Sequence, residues 1–127
     1  MEPEKQPLGL LLCDDLIFAS RISATARSLG LQVRTVRSAA GLEQLAAQEK
    51  PACVILDLAN PSLEITDAVP RLRPEGQVPV IVAYGSHVDT AGLNAARRAG
   101  CDVVLPRSRF VEDLAAALPR WFAGQAS

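Results

Sequence analysis

The sequence predicts an α/β protein: a doubly wound, five-stranded parallel sheet with helices on both faces. Three observations lead there. Five short apolar runs recur along the 127 residues, helix-period patterns lie between them, and hydrophobic residues reach 49% against 21% charged. Strands that alternate with helices of this length build a parallel sheet through right-handed crossovers. The composition is ordinary for a globular α/β chain and too apolar for disorder. A single domain over residues 8–123 is expected, with flexible termini at 1–7 and 124–127. Such a domain buries enough surface to fold without disulfides or a structural metal.

The elements follow in order. "LGLLLC" (8–13) reads as the first strand, and residues 16–29 as a helix with Ile17, Ile22, Ala26 and Leu29 along one face and Gly30 as its stop. "LQVRTV" (31–36) sets Leu31, Val33 and Val36 against Gln32, Arg34 and Arg37, as on an edge strand with one wet side. A helix over 39–49 carries Leu42, Leu45 and Ala46 and stops before Pro51. "ACVIL" (52–56), "VPVIVAY" (78–84) and "DVVLP" (102–106) are near-continuous apolar runs, the signature of strands covered on both faces. The helix over 63–73, with Ile65, Ala68, Val69 and Leu72, contains Pro70 and should be short or bent. Residues 89–99 begin at an N-cap, Asp89, and end at Gly100. The last helix, 109–123, places Phe110, Leu114, Ala117, Leu118 and Trp121 inward, with Pro119 as an interruption and Trp121 and Phe122 packed beneath it.

Thirteen basic and fourteen acidic residues leave a formal charge of −1. That balance offers no field for nucleic acid or anionic lipid, so neither is an expected partner. Cys13, Cys53 and Cys101 form no CxxC or Cys/His cluster, and two of them sit inside apolar runs where a reduced thiol acts as a small hydrophobe. The polar start "MEPEKQP" lacks the apolar core of a signal peptide. A cytoplasmic location, with no membrane contact, is expected.

In open sheets of this kind ligands bind beyond the carboxyl ends of the strands. The first strand ends in Asp14-Asp15, the third in Asp57, the fourth in Tyr84-Gly85-Ser86-His87, and the fifth runs into Arg107-Ser108-Arg109. If strands one, three, four and five are neighbours, these residues share a crevice. Three clustered carboxylates require a cation, and Mg²⁺ suits because it takes oxygen ligands and joins carboxylates to phosphate. A nearby arginine would hold the remaining phosphate oxygens through its planar fork. His87, the single histidine, lies two residues before Asp89 with no nucleophile beside it, so a loop or capping role is expected there rather than catalysis.

The acidic pair in "LLLCDD", the stretch "PACVILDLANP", the fourth run "VPVIVAYG" and the glycine-led "AGCDVVLPRS" together resemble a response-regulator receiver domain, the phosphoacceptor module of two-component signalling. The resemblance spans roughly residues 8–122. It implies a flavodoxin-like strand order 2-1-3-4-5, with Asp57 as phosphoacceptor. It also implies a Mg²⁺ site from Asp14, Asp15, Asp57 and the backbone carbonyl of Ala59. Arg107, Ser86 and Tyr84 become the phosphate-contact and switch candidates. The family's Thr or Ser at the end of strand four is Tyr84 here, its fifth-strand Lys is Arg107, and the Pro that follows is Ser108; its glycine eight residues after the phosphoacceptor is Ile65. A non-proline cis bond costs about 2.5–4 kcal/mol, so the loop at Arg107–Ser108 is expected to be trans and differently routed.

The function expected is that of a stand-alone receiver, not an enzyme. It would take phosphate from a sensor histidine kinase and act on an unidentified output protein by contact, as a monomer or weak homodimer. The alternative is a phosphorylation-independent pseudo-receiver, an interaction module motivated by Tyr84, Arg107 and Ser108. A haloacid-dehalogenase-type phosphatase, which needs Asp-x-Asp at its first strand, does not fit "CDDLIF".

Overall fold

The computed structural model describes residues 7–126; of the flexible termini expected at 1–7 and 124–127, residues 1–6 and 127 lie outside them. β1 (Leu8–Leu12) leads into α1 (Leu16–Ser28), β2 (Gln32–Val36), α2 (Ala39–Glu49) and β3 (Cys53–Asp57). Then come α3 (Ile65–Leu72), β4 (Val80–Gly85), α4 (Thr90–Ala99), β5 (Val103–Pro106) and α5 (Arg107–Phe122). The strands form one parallel sheet in the order β2-β1-β3-β4-β5. The predicted fold class and strand order are therefore those observed.

Strand alternation divides the core in two. Leu11, Cys13, Ile55, Val82 and Tyr84 face α1 and α5, where they meet Phe18, Ile22, Phe110, Leu118 and Trp121. Leu10, Leu12, Val54, Leu56, Ile81 and Ala83 face the opposite side and meet Leu42 of α2, Val69 and Leu72 of α3 and Ala96 of α4. Both faces are covered, which is why β1, β3 and β4 read as continuous apolar runs. β2 lies at the edge, as its alternation predicted, and keeps Gln32 and Arg34 exposed.

Helix ends follow local chemistry. Asp15, Ser38 and Asp89 cap α1, α2 and α4 through side-chain oxygens that accept the N–H groups of Phe18, Gly41 and Gly92. Gly100, with φ of 100°, closes α4 in the left-handed region. Asp102 pins the start of β5: its carboxylate accepts the Ile81 N–H at 2.8 Å and pairs with Arg73, which also donates to the Gly100 carbonyl at 2.9 Å.

Two boundaries differ from expectation. α5 begins at Arg107 rather than 109, with Pro106 at its cap position (φ −59°, ψ 148°), so Arg107 and Ser108 form the first helical turn instead of a loop. α5 also runs through Pro119 without a break, whereas α3, which contains Pro70, is short as expected, at eight residues. Each proline deprives the carbonyl four residues earlier of its donor. Those carbonyls belong to the exposed residues Ala115 and Thr66, where water can serve them. No cis peptide occurs among the described residues, nor is any helix there long and apolar enough to cross a membrane.

Candidate functional site

The carboxyl edge of the sheet assembles the site from three strand ends and one helix start. Asp57 is the last residue of β3 and pairs in register with Tyr84 of β4. Only 8% of Asp57 is exposed. Its Oδ1 accepts the Ala59 N–H at 2.9 Å, and its Oδ2 faces the Cys13 thiol at 3.8 Å. The loop after it is tied down by Asn60, which is buried. The Asn60 side-chain amide donates to the Arg37 carbonyl at 3.0 Å, and its oxygen accepts the Ser62 N–H at 3.0 Å and hydroxyl at 2.6 Å. The β3–α3 turn is thus fastened to the end of the β2 strand.

Tyr84 points inward rather than into solvent. Its ring lies between Phe18, edge-on at 5.2 Å, and Phe110, stacked at 4.6 Å, and Phe110 in turn stacks on Trp121 at 6.0 Å. The phenol oxygen is buried and has no hydrogen-bond partner among the described residues. Burial pushes its pKa up, helped by the neighbouring Cys13 thiol and the Asp57 charge, so the phenol stays protonated. Burial also raises the Cys13 pKa, keeping a neutral thiol beside the carboxylate.

Asp15 has two engagements. Its Oδ1 accepts the Phe18 N–H at 3.1 Å as the cap of α1, and its Oδ2 lies 3.5 Å from the Arg107 guanidinium. The Phe18 N–H, and secondarily Arg107, hold the Asp15 pKa below the ordinary aspartate value. The Arg107 guanidinium carbon sits over the Phe18 ring, 3.9 Å from its centre.

A cavity of about 340 Å³ opens above Asp57, lined by Asp57, Ala59, Tyr84, Gly85, Ser86, His87, Arg107 and Ser108. Its lining therefore combines the polar residues Asp57, Ser86, His87, Arg107 and Ser108 with apolar surface. Of the residues predicted from sequence, the fold brings Asp57, Ala59, Ser86, Tyr84 and Arg107 together. Asp14 and Asp15 do not line this cavity; Asp14 is exposed, and Asp15 reaches the site through Arg107 and through its carbonyl, which accepts from the Cys13 thiol at 3.4 Å. His87 is exposed, and Asp89 caps α4, the role expected of it.

The expected magnesium trio is not gathered. Among the described residues no three Asp, Glu, His or Cys side chains are close enough to hold a metal ion. The oxygen donors suit Mg²⁺ chemically, but Asp15 turns to its cap and to Arg107, while Asp57 turns to Ala59 and Cys13. As they stand, these residues do not fit the ion. One residue at the site was missed from sequence: Cys13 reads as a core hydrophobe because it ends an apolar run. Ser108, which the strand ends already place in the crevice, carried no role of its own.

Neither a family model nor a curated relative matches the sequence. Solved structures do match in fold. One is the receiver domain of the sensor histidine kinase PA1611 from Pseudomonas aeruginosa, described with magnesium coordinated in its active-site cleft. It is 21% identical, with a TM-score of 0.79 over 94% of this chain and 99% of that one. The chemotaxis response regulator CheY4 of Vibrio cholerae is 18% identical, with a TM-score of 0.77 over 91% and 98%. A response-regulator receiver domain from Bermanella marisrubri is 24% identical, with a TM-score of 0.71 over 87% and 98%.

Proposed function

We propose that this chain, which has the fold of a response-regulator receiver domain, works as a phosphoacceptor module with Asp57 as the residue that is phosphorylated. One observation carries the reading: Asp57 ends β3 at the floor of a recess that also contains Arg107, Ser86 and Ser108. In the proposed step an Asp57 oxygen attacks phosphorus. The P–N bond to a phosphohistidine of a sensor kinase breaks, and the imidazole leaves with the electron pair. An acyl phosphate forms on Asp57. Such transfers depend on position and electrostatics more than on covalent help from the protein. The guanidinium and the two hydroxyls are the groups that would meet charge on the transferred oxygens.

The module would be a signalling switch rather than a turnover enzyme. With a formal charge of −1 it would pass its state to a protein and not to nucleic acid. Three free thiols suit the reducing cytoplasm, where a kinase of this class presents its phosphohistidine. The test is incubation with acetyl phosphate, with Mg²⁺ and separately with EDTA, followed by intact mass measurement. A phosphate adduct that is lost in Asp57→Asn is the expected result.

One observation favours a second reading. Tyr84, at the position where the family carries a movable hydroxyl, is wedged between Phe18 and Phe110. A pseudo-receiver that binds its partner without phosphate would need no such switch. Absence of any adduct under both conditions would select it.

A further inference from the structure

We propose that the Arg107 guanidinium is the resident cation of this cleft, so that the site takes an oxyanion of the phosphate class without a divalent metal ion. The proposal rests on the phosphoacceptor reading only for the class of ligand. Four features of the site support it. Arg107 lines the recess with Asp57 while its Nη2 sits 3.5 Å from Asp15 Oδ2, so one positive charge shares this edge of the sheet with two carboxylates. A guanidinium is always charged and presents five N–H donors; among the described residues Asp15 is the only hydrogen-bond partner those donors have.

The half-exposed guanidinium rests on the face of Phe18, which is itself buried and packed against Tyr84 and Phe110. Attraction between the cation and the ring face adds to this placement.

Of the oxygens that a metal would need, those of Asp15 and Asp57 are engaged elsewhere, and Asp14 lies outside the recess. Mg²⁺ requires near-octahedral oxygen ligands at about 2.0–2.1 Å. Asp15 Oδ1 is committed to the Phe18 N–H, Asp57 Oδ1 to the Ala59 N–H, and Asp57 Oδ2 faces a thiol, which is no ligand for a hard cation. An ion drawn between Asp15 and Asp57 would also meet the guanidinium as a like charge.

The remaining lining groups suit an anion. Ser86 and Ser108 line the recess with Arg107, and a planar guanidinium matches two oxygens of a phosphate.

The test uses the full chain, ¹⁵N-labelled, in two titrations. In the first, Mn²⁺ serves as a paramagnetic stand-in for Mg²⁺, and line broadening of the Ala59 and Ser86 amides is followed. Wild type should show no saturable broadening, whereas Arg107→Gln, shorter and uncharged, should gain it. Saturable broadening in wild type, or none in Arg107→Gln, overturns the proposal. In the second titration, inorganic phosphate is added in EDTA. Wild type should show saturable shifts at Ala59, Ser86 and Ser108, weakened about tenfold in Arg107→Gln. Absence of those shifts, or equal affinity in the variant, overturns it as well. Neither titration requires phosphoryl transfer, so a missing acetyl-phosphate adduct would dismiss the phosphoacceptor reading while leaving these results to decide the cation.

Discussion

The Tyr84 hydroxyl is buried without a hydrogen-bond partner, and an orphaned polar group of this kind costs about 1–3 kcal/mol. Tyr84→Phe keeps the ring between Phe18 and Phe110 and removes only the orphan. The variant should be more stable by about 1 kcal/mol, read as a higher urea midpoint with an unchanged m value. A loss of stability instead would mean that the phenol bonds to the Cys13 thiol in solution. The sequence could place Tyr84 at the end of β4 but not on a face, because "VIVAY" is apolar at every position and carries no alternation. Cys13 posed the same difficulty. A cysteine ending an apolar run is most simply a hydrophobe, and only the neighbouring strand brings it to within 3.8 Å of Asp57. Asp57 itself was legible, because a carboxylate directly after five apolar residues can only lie at a strand end.

At the scale of the element, β1 and α5 approach unusually closely. A Cβ built on Gly9 would lie 2.5 Å from the tip of the Phe122 ring, which is itself buried. Gly9→Ala should therefore push that ring out of place and destabilise the fold by about 1–3 kcal/mol, the ordinary cost of overpacking. Thermal unfolding of Gly9→Ala alone and combined with Phe122→Leu checks this: the smaller side chain should reduce the penalty of the alanine. Nothing in "LGLLLC" marks Gly9 as a packing site, since the partner lies 113 positions away. The start of α5 was hidden for a different reason. Arg107 at a first helical position carries charge of the unfavourable sign for the helix dipole, so local rules argue for a loop. Asp15 and the Phe18 face supply the tertiary compensation. Pro119 was read as an interruption for equally local reasons, yet the exposed turn before it lets the helix continue.

Across the whole molecule, the three thiols connect the core to pH. Burial raises all of them: Cys53 to about 12 and Cys101 to about 11, with Cys13 also above its ordinary value. The unfolded chain releases its thiol protons near pH 8.5, whereas the folded chain holds them. The corresponding stability is complete below that pH and is lost as pH rises toward the folded values. Urea midpoints should fall between pH 7.5 and pH 10, with Cys53 alone accounting for about 1–2 kcal/mol, and Cys53→Ala should flatten that dependence. The five strands, the five helices, the edge position of β2 and the carboxyl-edge placement of Asp57 were determined by the sequence itself. Each follows from local periodicity and from the connection rules of parallel sheets. The facing of Tyr84, the contact of Cys13 with Asp57 and the turning of Asp15 toward Arg107 were decided only in the tertiary structure. These depend on which side chains meet across strands and helices far apart in the chain. Two carboxylates and a guanidinium can satisfy one another in several ways, and the packing of Phe18 beneath Arg107 selects the one adopted here.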